Sequence, residues 1–351
     1  MNNSVEILVK SFEEIEKERS IDTKSRYLMR TNPYKDGHSV NGAIEGRVDD
    51  ALGGCVYVFP TQLNYDGKIY PIMSGTDFWV SQAFRKFQLG LMIPEKMLDI
   101  SPNYLFAGVS KNAQPVYQYF GFELFDLQRF VYIVNSHFLV SLKLKGILAK
   151  IATLFANASL YLFYDSLRLF FKIKYWKFKV VEKSVDDIDY DGVSNIINAD
   201  MHRYKEYHGK EWIKWVMNYS DKHPESQQHF YEIYRKGELV GFFLNKNKFR
   251  ELLNGKYQNV IYGSIIEWGS INQDILKDSD ICAIAFSKFG KRTDAIAMCS
   301  HEEDFFNEIP RKVRKRMGNL NYAVILDEKK FPDYQNENNW RIRPAGGDAS
   351  F

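Results

Sequence analysis

Cysteine is scarce in this chain of 351 residues, which contains three cysteines: Cys55, Cys282 and Cys299. They lie far apart, and none has the paired spacing of a zinc site or a redox dithiol. A sparse, odd number of cysteines is typical of proteins in a reducing compartment. The first residues alternate charged and apolar side chains and lack the apolar centre of a secretory signal peptide. We therefore expect a cytoplasmic protein.

The sequence also lacks a strong excess of charge of either sign. Lys and Arg number 47 and Asp and Glu number 44, which gives a formal net charge of +3. This balance does not indicate a nucleic-acid partner, and we expect none. Basic charge is local instead, and its densest run is Arg311, Lys312, Arg314, Lys315 and Arg316. Such a run is either a solvated face or a surface that attracts an anionic partner.

Long uncharged apolar runs are missing as well. The segment 138–175 is apolar and basic together, and its longest stretch without a formal charge, Ile151 to Tyr164, is shorter than the roughly 20 residues that span a bilayer. Three interpretations stay open: helices packed between domains, a helix that lies peripherally on an anionic membrane, and, least favoured by the length of this stretch, a full bilayer span. In the second, the headgroups would be faced by the basic side chains of Lys143, Lys145, Lys150, Arg168, Lys172 and Lys174.

The residues that are present indicate two mixed α/β domains. A hydrophobic content of 45% and a length of 351 residues suit a globular protein with more than one domain. Strand-like and helix-like segments alternate on both sides of 138–175, which predicts domains at 1–137 and 176–351 joined by a helical connector at 138–175. Asp66-Gly67 and Lys236-Gly237 predict hairpin turns. Apolar residues at helical spacing predict helices over 5–19 and 193–219.

The stretch FRKFQLGLMIPEKML, from Phe84 to Leu98, has the properties of an anion-binding loop. Backbone N–H groups at a helix start lack intrahelical partners, and the helix dipole there favours negative charge. Arg85 adds a cation that can hold phosphate oxygens in pairs. Gly90 lets the backbone approach a ligand closely.

Arg85-x-x-Gln88-x-Gly90 resembles the pyrophosphate loop of the GNAT superfamily of acyl-CoA-dependent N-acyltransferases, whose usual form is Gln/Arg-x-x-Gly-x-Gly/Ala after the fourth strand. The downstream FAGVSKNAQPVYQYFGFELF is similar to the fifth strand and following helix of that fold. The resemblance covers residues 50–135 and implies that Arg85, Gln88, Leu89 and Gly90 bind acetyl-CoA or another acyl-CoA. Two departures are testable: Gln88 replaces the first glycine and should keep φ negative, and Pro94 should lie in the first helical turn or kink the helix.

The resemblance also implies a mechanism, in which a neutral amine attacks the thioester carbonyl and a tyrosine protonates the departing thiolate. Tyr117 matches that tyrosine, although a buried aromatic would give the same pattern. Asp77 is the nearest carboxylate on the preceding strand and the candidate base, with a turn or cap role as its alternative. Asn112 is expected to hydrogen-bond the pantetheine arm or to cap the next helix.

The second half contains no such loop, and we expect it to shape the acceptor pocket. Glu267 is a charged residue on an apolar strand, which is either surface-facing or functional. The segment HRYKEYHGKEW offers His202, Tyr204 and His208 as substrate ligands, with a solvated helix face as the alternative. The two histidines are six residues apart, which disfavours a zinc site on one helix face.

The whole-chain pattern, including FELFDLQRFVYIVN and the tail WRIRPAGGD, looks like double-GNAT proteins of bacterial surface-polysaccharide clusters. That resemblance implies a small-molecule amine acceptor, an amino sugar linked to a nucleotide or a lipid. Two other classes stay open. One is an aminoacyl-tRNA-dependent transferase of the kind that builds peptidoglycan bridges, and the other is a non-catalytic membrane or scaffold protein.

Overall fold

A computed structural model describes residues 3–36, 40–253, 256–311 and 314–345. Lys312 of the basic run and residues 346–348 of the resembling tail lie outside these ranges. The chain forms two compact units, the first made of Met1–Leu127, His202–Trp215 and Leu320–Phe351, and the second of Gln128–Met201 and Val216–Asn319. This division differs from the predicted boundaries, because the chain returns twice to the first unit and the predicted connector 138–175 lies inside the second.

Helices and strands alternate along the chain. The α-helices are α1 (Phe12–Glu18), α2 (Thr23–Arg30), α3 (Leu89–Ile100), α4 (Gln114–Tyr119), α5 (His137–Val140), α6 (Gly146–Lys174), α7 (Tyr190–Ala199), α8 (Lys210–Lys222) and α9 (Asp278–Ser287). The strands are β1 (Val5–Ser11), β2 (Gly42–Val48), β3 (Ala51–Tyr65), β4 (Lys68–Val80), β5 (Tyr104–Ala107), β6 (Glu123–Ile133), β7 (Phe178–Lys183), β8 (Tyr204–Glu206), β9 (Ser226–Arg235), β10 (Glu238–Leu253), β11 (Tyr257–Ser270), β12 (Ala295–Ser300), β13 (Lys315–Ile325) and β14 (Trp340–Arg341). The fold class is mixed α/β, as the sequence predicts.

The first unit is built on a mixed sheet. Strands β1 to β5 are neighbours in chain order, and the later part of β13 pairs antiparallel with β5. Only β4 and β5 among these neighbours are parallel, and α3 provides the crossover between them. At the other side of the long hairpin, β8 pairs with the end of β3.

Glycines on β2 and β3 let α3 approach this sheet closely. A methyl group added at Gly46 would lie 2.9 Å from a methyl of Leu89, and one added at Gly53 would lie 2.6 Å from the other. The Leu89 side chain is completely buried as a result, and Ile93 and Met97 follow it into the same core at helical spacing. This packing fixes where α3 begins.

In the second unit the strands pair in the order β6-β12-β11-β10-β9-β7, again in mixed directions. Here β11 and β12 are the parallel pair, and α9 is the crossover between them. Helix α9 is almost entirely buried, from Ile281 to Phe286, because it packs against β10, β11 and α6. Its core is aromatic, with Trp268 stacked on Phe305 at 4.1 Å.

Helix α6 belongs to the second unit and has two different faces. Tyr164 and Phe171 are buried, and the Tyr164 hydroxyl donates to the carbonyl oxygens of Phe286 and Phe289 at 3.1 and 2.9 Å. The opposite face is exposed and apolar. By length and composition α6 could also cross a bilayer, since the helix extends well beyond the uncharged run 151–164.

Two helix predictions are wrong and the turn predictions are confirmed. Residues 5–19 split into β1 and α1, because β1 pairs along its whole length with β2. Residues 193–219 are interrupted by β8, which pairs with β3 and β14. The predicted hairpins form at Asp66-Gly67 and Lys236-Gly237, where each glycine has a positive φ.

Candidate active site

The first unit contains a cavity where its parallel strands separate. Residues Met73–Gly75 of β4 pair with residues Tyr104–Phe106 of β5, and the two strands then diverge. The gap is a cavity of about 250 Å³, lined by residues 75–78 of β4, residues 106–110 at the end of β5, Ala113 just before α4, and Tyr117 of α4. This volume is below the roughly 300–1,000 Å³ of a complete ligand pocket, so the cavity suits one part of an extended ligand.

Tyr117 is a buried residue of this cavity with an unengaged hydroxyl. Its side chain is 2% exposed, and its ring lies 4.9 Å from that of Phe106 and 5.0 Å from that of Phe122. No hydrogen bond of the hydroxyl is found within the described part of the chain, although a buried tyrosine usually has a partner. Burial raises the pKa of Tyr117 far above its ordinary value, which keeps the phenol protonated at neutral pH.

Asp77 lies in the same cavity, on the opposite strand. Its backbone is left-handed, with φ of 54°, at a bulge where β4 has an extra residue relative to β3. The side chain is exposed, and one carboxylate oxygen accepts a hydrogen bond from the Ser25 hydroxyl at 3.1 Å. The cavity therefore brings together the two residues predicted as acid and base.

The start of α3 carries free donors, as the sequence predicts. The N–H of Gln88 donates to the Arg85 carbonyl at 3.1 Å, and helical bonding resumes with Leu91 and Met92, which both donate to the Gln88 carbonyl. Among the described residues, the N–H groups of Leu89 and Gly90 have no partner. No side chain caps this helix, and its first turn has no acidic residue.

The surroundings of these donors favour an anion. Arg85 is exposed and forms no ion pair with any described residue. A methyl group added at Gly90 would meet only Val80, at 4.0 Å, so the space in front of the helix start is open. Unpaired N–H groups, a helix dipole and a free guanidinium are the features that phosphate-binding sites use.

The structure shows the backbone at both residues that depart from the usual loop, Gln88 and Pro94. Gln88 has φ of 59°, so the expectation of a negative φ is wrong, and the residue takes the left-handed conformation that glycine would adopt more readily. Pro94 lies inside α3, beyond its first turn. Because proline lacks an N–H, the Gly90 carbonyl receives no helical hydrogen bond from it.

Two other predicted coenzyme residues have different placements. Leu89 can contribute only its backbone, since its side chain is in the core. Asn112 is exposed in the turn before α4, and the cap position of that helix is taken by Ala113. The helix-cap alternative for Asn112 is therefore wrong, and its contact with pantetheine stays a prediction.

The predicted acceptor residues do not form one cluster within either unit. Tyr204 is fully buried between the rings of Tyr65 and Trp340, at 4.8 and 5.0 Å. His208 is buried and stacked on Trp212, whereas His202 is half-buried. The solvated-face alternative for this segment is thus wrong for Tyr204 and His208, and the substrate roles stay predictions.

Glu267, the fourth predicted acceptor residue, belongs to the second unit. It is 3% exposed on β11, so the surface-facing alternative is wrong. Its carboxylate accepts the N–H of Trp268 at 3.0 Å. A role in substrate binding stays a prediction for Glu267.

Sequence reasoning missed the remaining cavity residues. Phe106 fits over Gly75, where an added methyl group would lie 2.2 Å from its ring. Gly108, with φ of 75°, turns the chain at the end of β5, and the glycine in FAGVS was a usable signal for that turn. Ser25 is fully buried and far from Asp77 in sequence, so no local pattern could have paired them.

Comparison with known proteins finds likeness in structure alone. No family model matches the sequence, and no curated protein matches it. An N-myristoyltransferase from Saccharomyces cerevisiae with bound myristoyl-CoA aligns at a TM-score of 0.53 and 12% identity, over 92% of this chain and 82% of that one. A probable N-acyltransferase from Enterococcus faecalis aligns at 0.54 and 11%, over 94% and 74%. A GCN5-related N-acetyltransferase from Anabaena variabilis aligns at 0.53 and 10%, over 92% and 72%. At these identities the likeness concerns the fold, and the chain has the mixed α/β fold of the GNAT-type N-acyltransferases.

Proposed function

We propose that this protein is an acyl-CoA-dependent N-acyltransferase that uses acetyl-CoA and binds it through the first unit. The observation that carries the proposal is the uncapped start of α3, where the N–H groups of Leu89 and Gly90 are unpaired and Arg85 is unengaged. A coenzyme A pyrophosphate needs such donors. The solved structures of similar fold include N-acyltransferases, which supports the same reaction class.

The cavity supplies the groups for acyl transfer. The neutral amine attacks the thioester carbonyl carbon, a C–N bond forms, and the C–S bond breaks. Tyr117, whose hydroxyl is unengaged among the described residues, donates its phenolic proton to the departing thiolate. Asp77, exposed on the facing strand, takes the proton released by the amine directly or through water.

The small cavity favours a short acyl group. A volume of about 250 Å³ is less than a complete ligand pocket needs, and a long fatty chain would have to leave it. The acceptor that we propose is an amino sugar linked to a nucleotide or a lipid, on the basis of the whole-chain resemblance. A panel of such amines with acetyl-CoA and myristoyl-CoA tests both specificities.

Calorimetry with acetyl-CoA is the first test of the proposal. We expect binding by the wild type and none by Gly90→Trp, because the indole would occupy the open space before the helix start. Gly290→Trp is the matched control, since an added side chain at Gly290 also meets open space but lies in the second unit. Absence of wild-type binding at millimolar acetyl-CoA would leave the aminoacyl-tRNA-dependent or non-catalytic alternatives.

Turnover by Tyr117→Phe tests the acid separately from the coenzyme site. We expect kcat to fall by about 10²-fold or more with little change in the affinity for acetyl-CoA. The fold should be unaffected, because the hydroxyl makes no hydrogen bond with the described residues. Retained kcat would remove Tyr117 from the mechanism without removing the coenzyme site.

A further inference from the structure

The outer face of α6 exposes an apolar stripe. Its side chains are between 47% and 74% exposed and recur at helical spacing: Ile147, Leu148, Ile151, Leu154, Phe155, Leu162, Leu169, Phe170, Ile173 and, just after the helix, Trp176. Large contiguous apolar patches are rare on soluble monomers and mark interaction surfaces. We call this set the α6 stripe.

The inner face of α6 fixes the orientation of the stripe. Tyr164 and Phe171 are buried in the core of the second unit, and the Tyr164 hydroxyl is bonded to two carbonyl oxygens. Asn157 adds a hydrogen bond from the Ser136 N–H at 2.7 Å. A helix that crossed a bilayer would have to leave these partners, so the stripe suits a membrane surface with the helix parallel to it.

Cations flank the stripe, and acidic residues are nearly absent. Between residues 141 and 177 the sole carboxylate is that of Asp165, and outside this range Glu308 pairs with Lys174. Lysines lie at both ends of the helix: Lys143, Lys145 and Lys150 before or within its first turns, and Lys172, Lys174 and Lys177 at its end. A helix of 29 residues is about 43 Å long, so anionic headgroups at both ends could be contacted at once.

A basic cavity opens beside the C-terminal end of the stripe. It has a volume of about 630 Å³, and its walls include Leu169, Trp176 and Phe178. The cationic side chains of Arg168 and Lys172 also line this cavity. Stripe residues thus form part of the cavity wall, which makes the two features continuous.

The charges of this cavity are predominantly positive. Lys288 joins Arg168 and Lys172 there, and its pKa is lowered first by burial and also by these two cations, although Glu182 opposes the shift. The single carboxylate in the lining, that of Asp165, is paired with Lys291 at 2.7 Å and, more distantly, with Arg168 at 3.8 Å, so one carboxylate is shared between two cations. An anionic headgroup would relieve the repulsion among these three cations.

We propose that the second unit docks on an anionic bilayer, with the α6 stripe inserted at the headgroup–acyl boundary and a lipid headgroup phosphate in the cavity of Arg168, Lys172 and Lys288. A second copy of the chain is a poorer occupant, because a symmetric contact over the stripe would bring lysines of the two copies together. The proposal is independent of the acyltransferase activity.

Sedimentation of the full chain with vesicles tests this docking. We expect binding to vesicles of phosphatidylcholine with phosphatidylserine, weaker binding to phosphatidylcholine alone, and partial release at high salt. Soluble inositol phosphate should not displace the protein from vesicles, because the stripe supplies much of the affinity. Displacement by that probe alone would show a site for a free phosphate ligand and overturn the docking.

Variants separate the stripe from the cavity. The double change Leu154→Glu and Leu162→Glu should lower partitioning at least about tenfold on both vesicle types. Lys172→Glu should lower it about fivefold or more on phosphatidylserine vesicles only. The matched controls are Met201→Glu, at a residue that is 95% exposed in the same unit, and Lys68→Glu, at an exposed lysine of the first unit.

All five substituted side chains, those of Leu154, Leu162, Lys172, Met201 and Lys68, are exposed, so the variants should fold. Circular dichroism checks this. If the wild-type protein does not sediment with either vesicle type, the proposal is overturned. A stripe variant that binds as the wild type does, or a dimer in solution that the stripe variant dissociates, would overturn it as well.

Discussion

The two units use the same strand–helix–strand arrangement with opposite results. In the first, α3 connects the parallel strands β4 and β5, and its leading N–H groups are uncapped. In the second, α9 connects the parallel strands β11 and β12, and its start is occupied by the protein's own groups. Asp280 accepts the N–H of Lys277 at 3.0 Å, and Gln273 accepts that of Asp278.

The difference extends to the gap between the parallel strands. Beyond the paired residues of β4 and β5 there is a cavity. Beyond those of β11 and β12 comes Trp268, which is fully buried, stacks on Phe305 and donates its indole N–H to Asp278 at 2.7 Å. The first unit thus has an uncapped helix start beside a cavity, the arrangement that we propose binds a coenzyme, whereas the second unit has a capped helix start and a packed aromatic core.

The largest expected effect comes from truncating Trp268 in the packed core of the second unit. Trp268→Ala should destabilise the protein by about 3–5 kcal/mol, since it removes a large buried side chain and a buried hydrogen bond. Trp176→Ala, at a residue that is 74% exposed, should cost no more than about 0.5 kcal/mol. Chemical denaturation of both variants measures the difference in unfolding free energy. Equal losses would mean that Trp268 does not lie in a packed core.

A second comparison uses one glycine from each parallel pair. A methyl group at Gly75 would lie 2.2 Å from the Phe106 ring, and one at Gly263 would lie 2.8 Å from the Phe289 ring. Alanine at either position should therefore cost about 1–3 kcal/mol. Only Gly75→Ala should also weaken acetyl-CoA binding, because Phe106 packs on Tyr117. Equal acetyl-CoA binding by both variants in calorimetry would show that the cavity does not contribute to coenzyme binding.

Copying the acidic helix start of the second unit into the first gives a third test. Gly90→Asp should lower acetyl-CoA affinity about tenfold, since the carboxylate repels phosphate and competes for the N–H groups. The same change should stabilise the fold by about 0.3–1 kcal/mol, because an acidic side chain favours a helix N-terminus. Loss of binding together with loss of stability would indicate local unfolding instead.

The smallest effect concerns the residues that lead into the second strand of each pair. Asn103 precedes β5, whereas Asp294 precedes β12 and lies 3.2 Å from His137. The hydrogen bond and charge of Asp294 raise the pKa of His137 above its ordinary value of about 6.5.

The direction of the pH response follows from this shift. Because the pKa of His137 is higher in the folded state, protonated His137 stabilises the fold. This contribution to the free energy of unfolding is fully present below about pH 6.5 and is lost as the pH rises through the raised pKa. The stability difference between the wild type and His137→Gln should thus be largest in acid and shrink towards alkaline pH. Thermal unfolding over a pH series measures it, and a constant difference would contradict the ion pair.

Local sequence signals were sufficient for the two hairpin turns and indicated a helix start after Phe87, although the segment before it, Gln82–Phe87, is a 3₁₀ helix. Asp66-Gly67 sets a turn whatever surrounds it, and Gly90 leaves the helix start open by lacking a side chain. Long-range packing decided the rest. Residues 5–11 have helical spacing but join β2, and Gly42 admits that strand because an added methyl group would lie 2.0 Å from the Lys10 carbonyl oxygen.

The candidate site divides in the same way. Arg85, Gly90, Asp77 and Tyr117 were predicted because their spacing resembles a loop, a strand and a helix of a known fold. The burial of Tyr204 could not be predicted, since the rings that enclose it, Tyr65 and Trp340, are distant in sequence. The left-handed backbone of Gln88 was missed because a side chain there suggested the ordinary conformation.

The pairing of β5 with β13 has a consequence for synthesis on the ribosome. Strand β5 cannot form its pairing with β13 until Tyr322–Ile325 have been synthesised. All residues of the second unit are translated in the interval. Until then one edge of β5 has no partner in the native sheet, and exposed strand edges promote association between nascent chains. We expect slow maturation and a benefit from chaperones during translation, traceable to a single late strand.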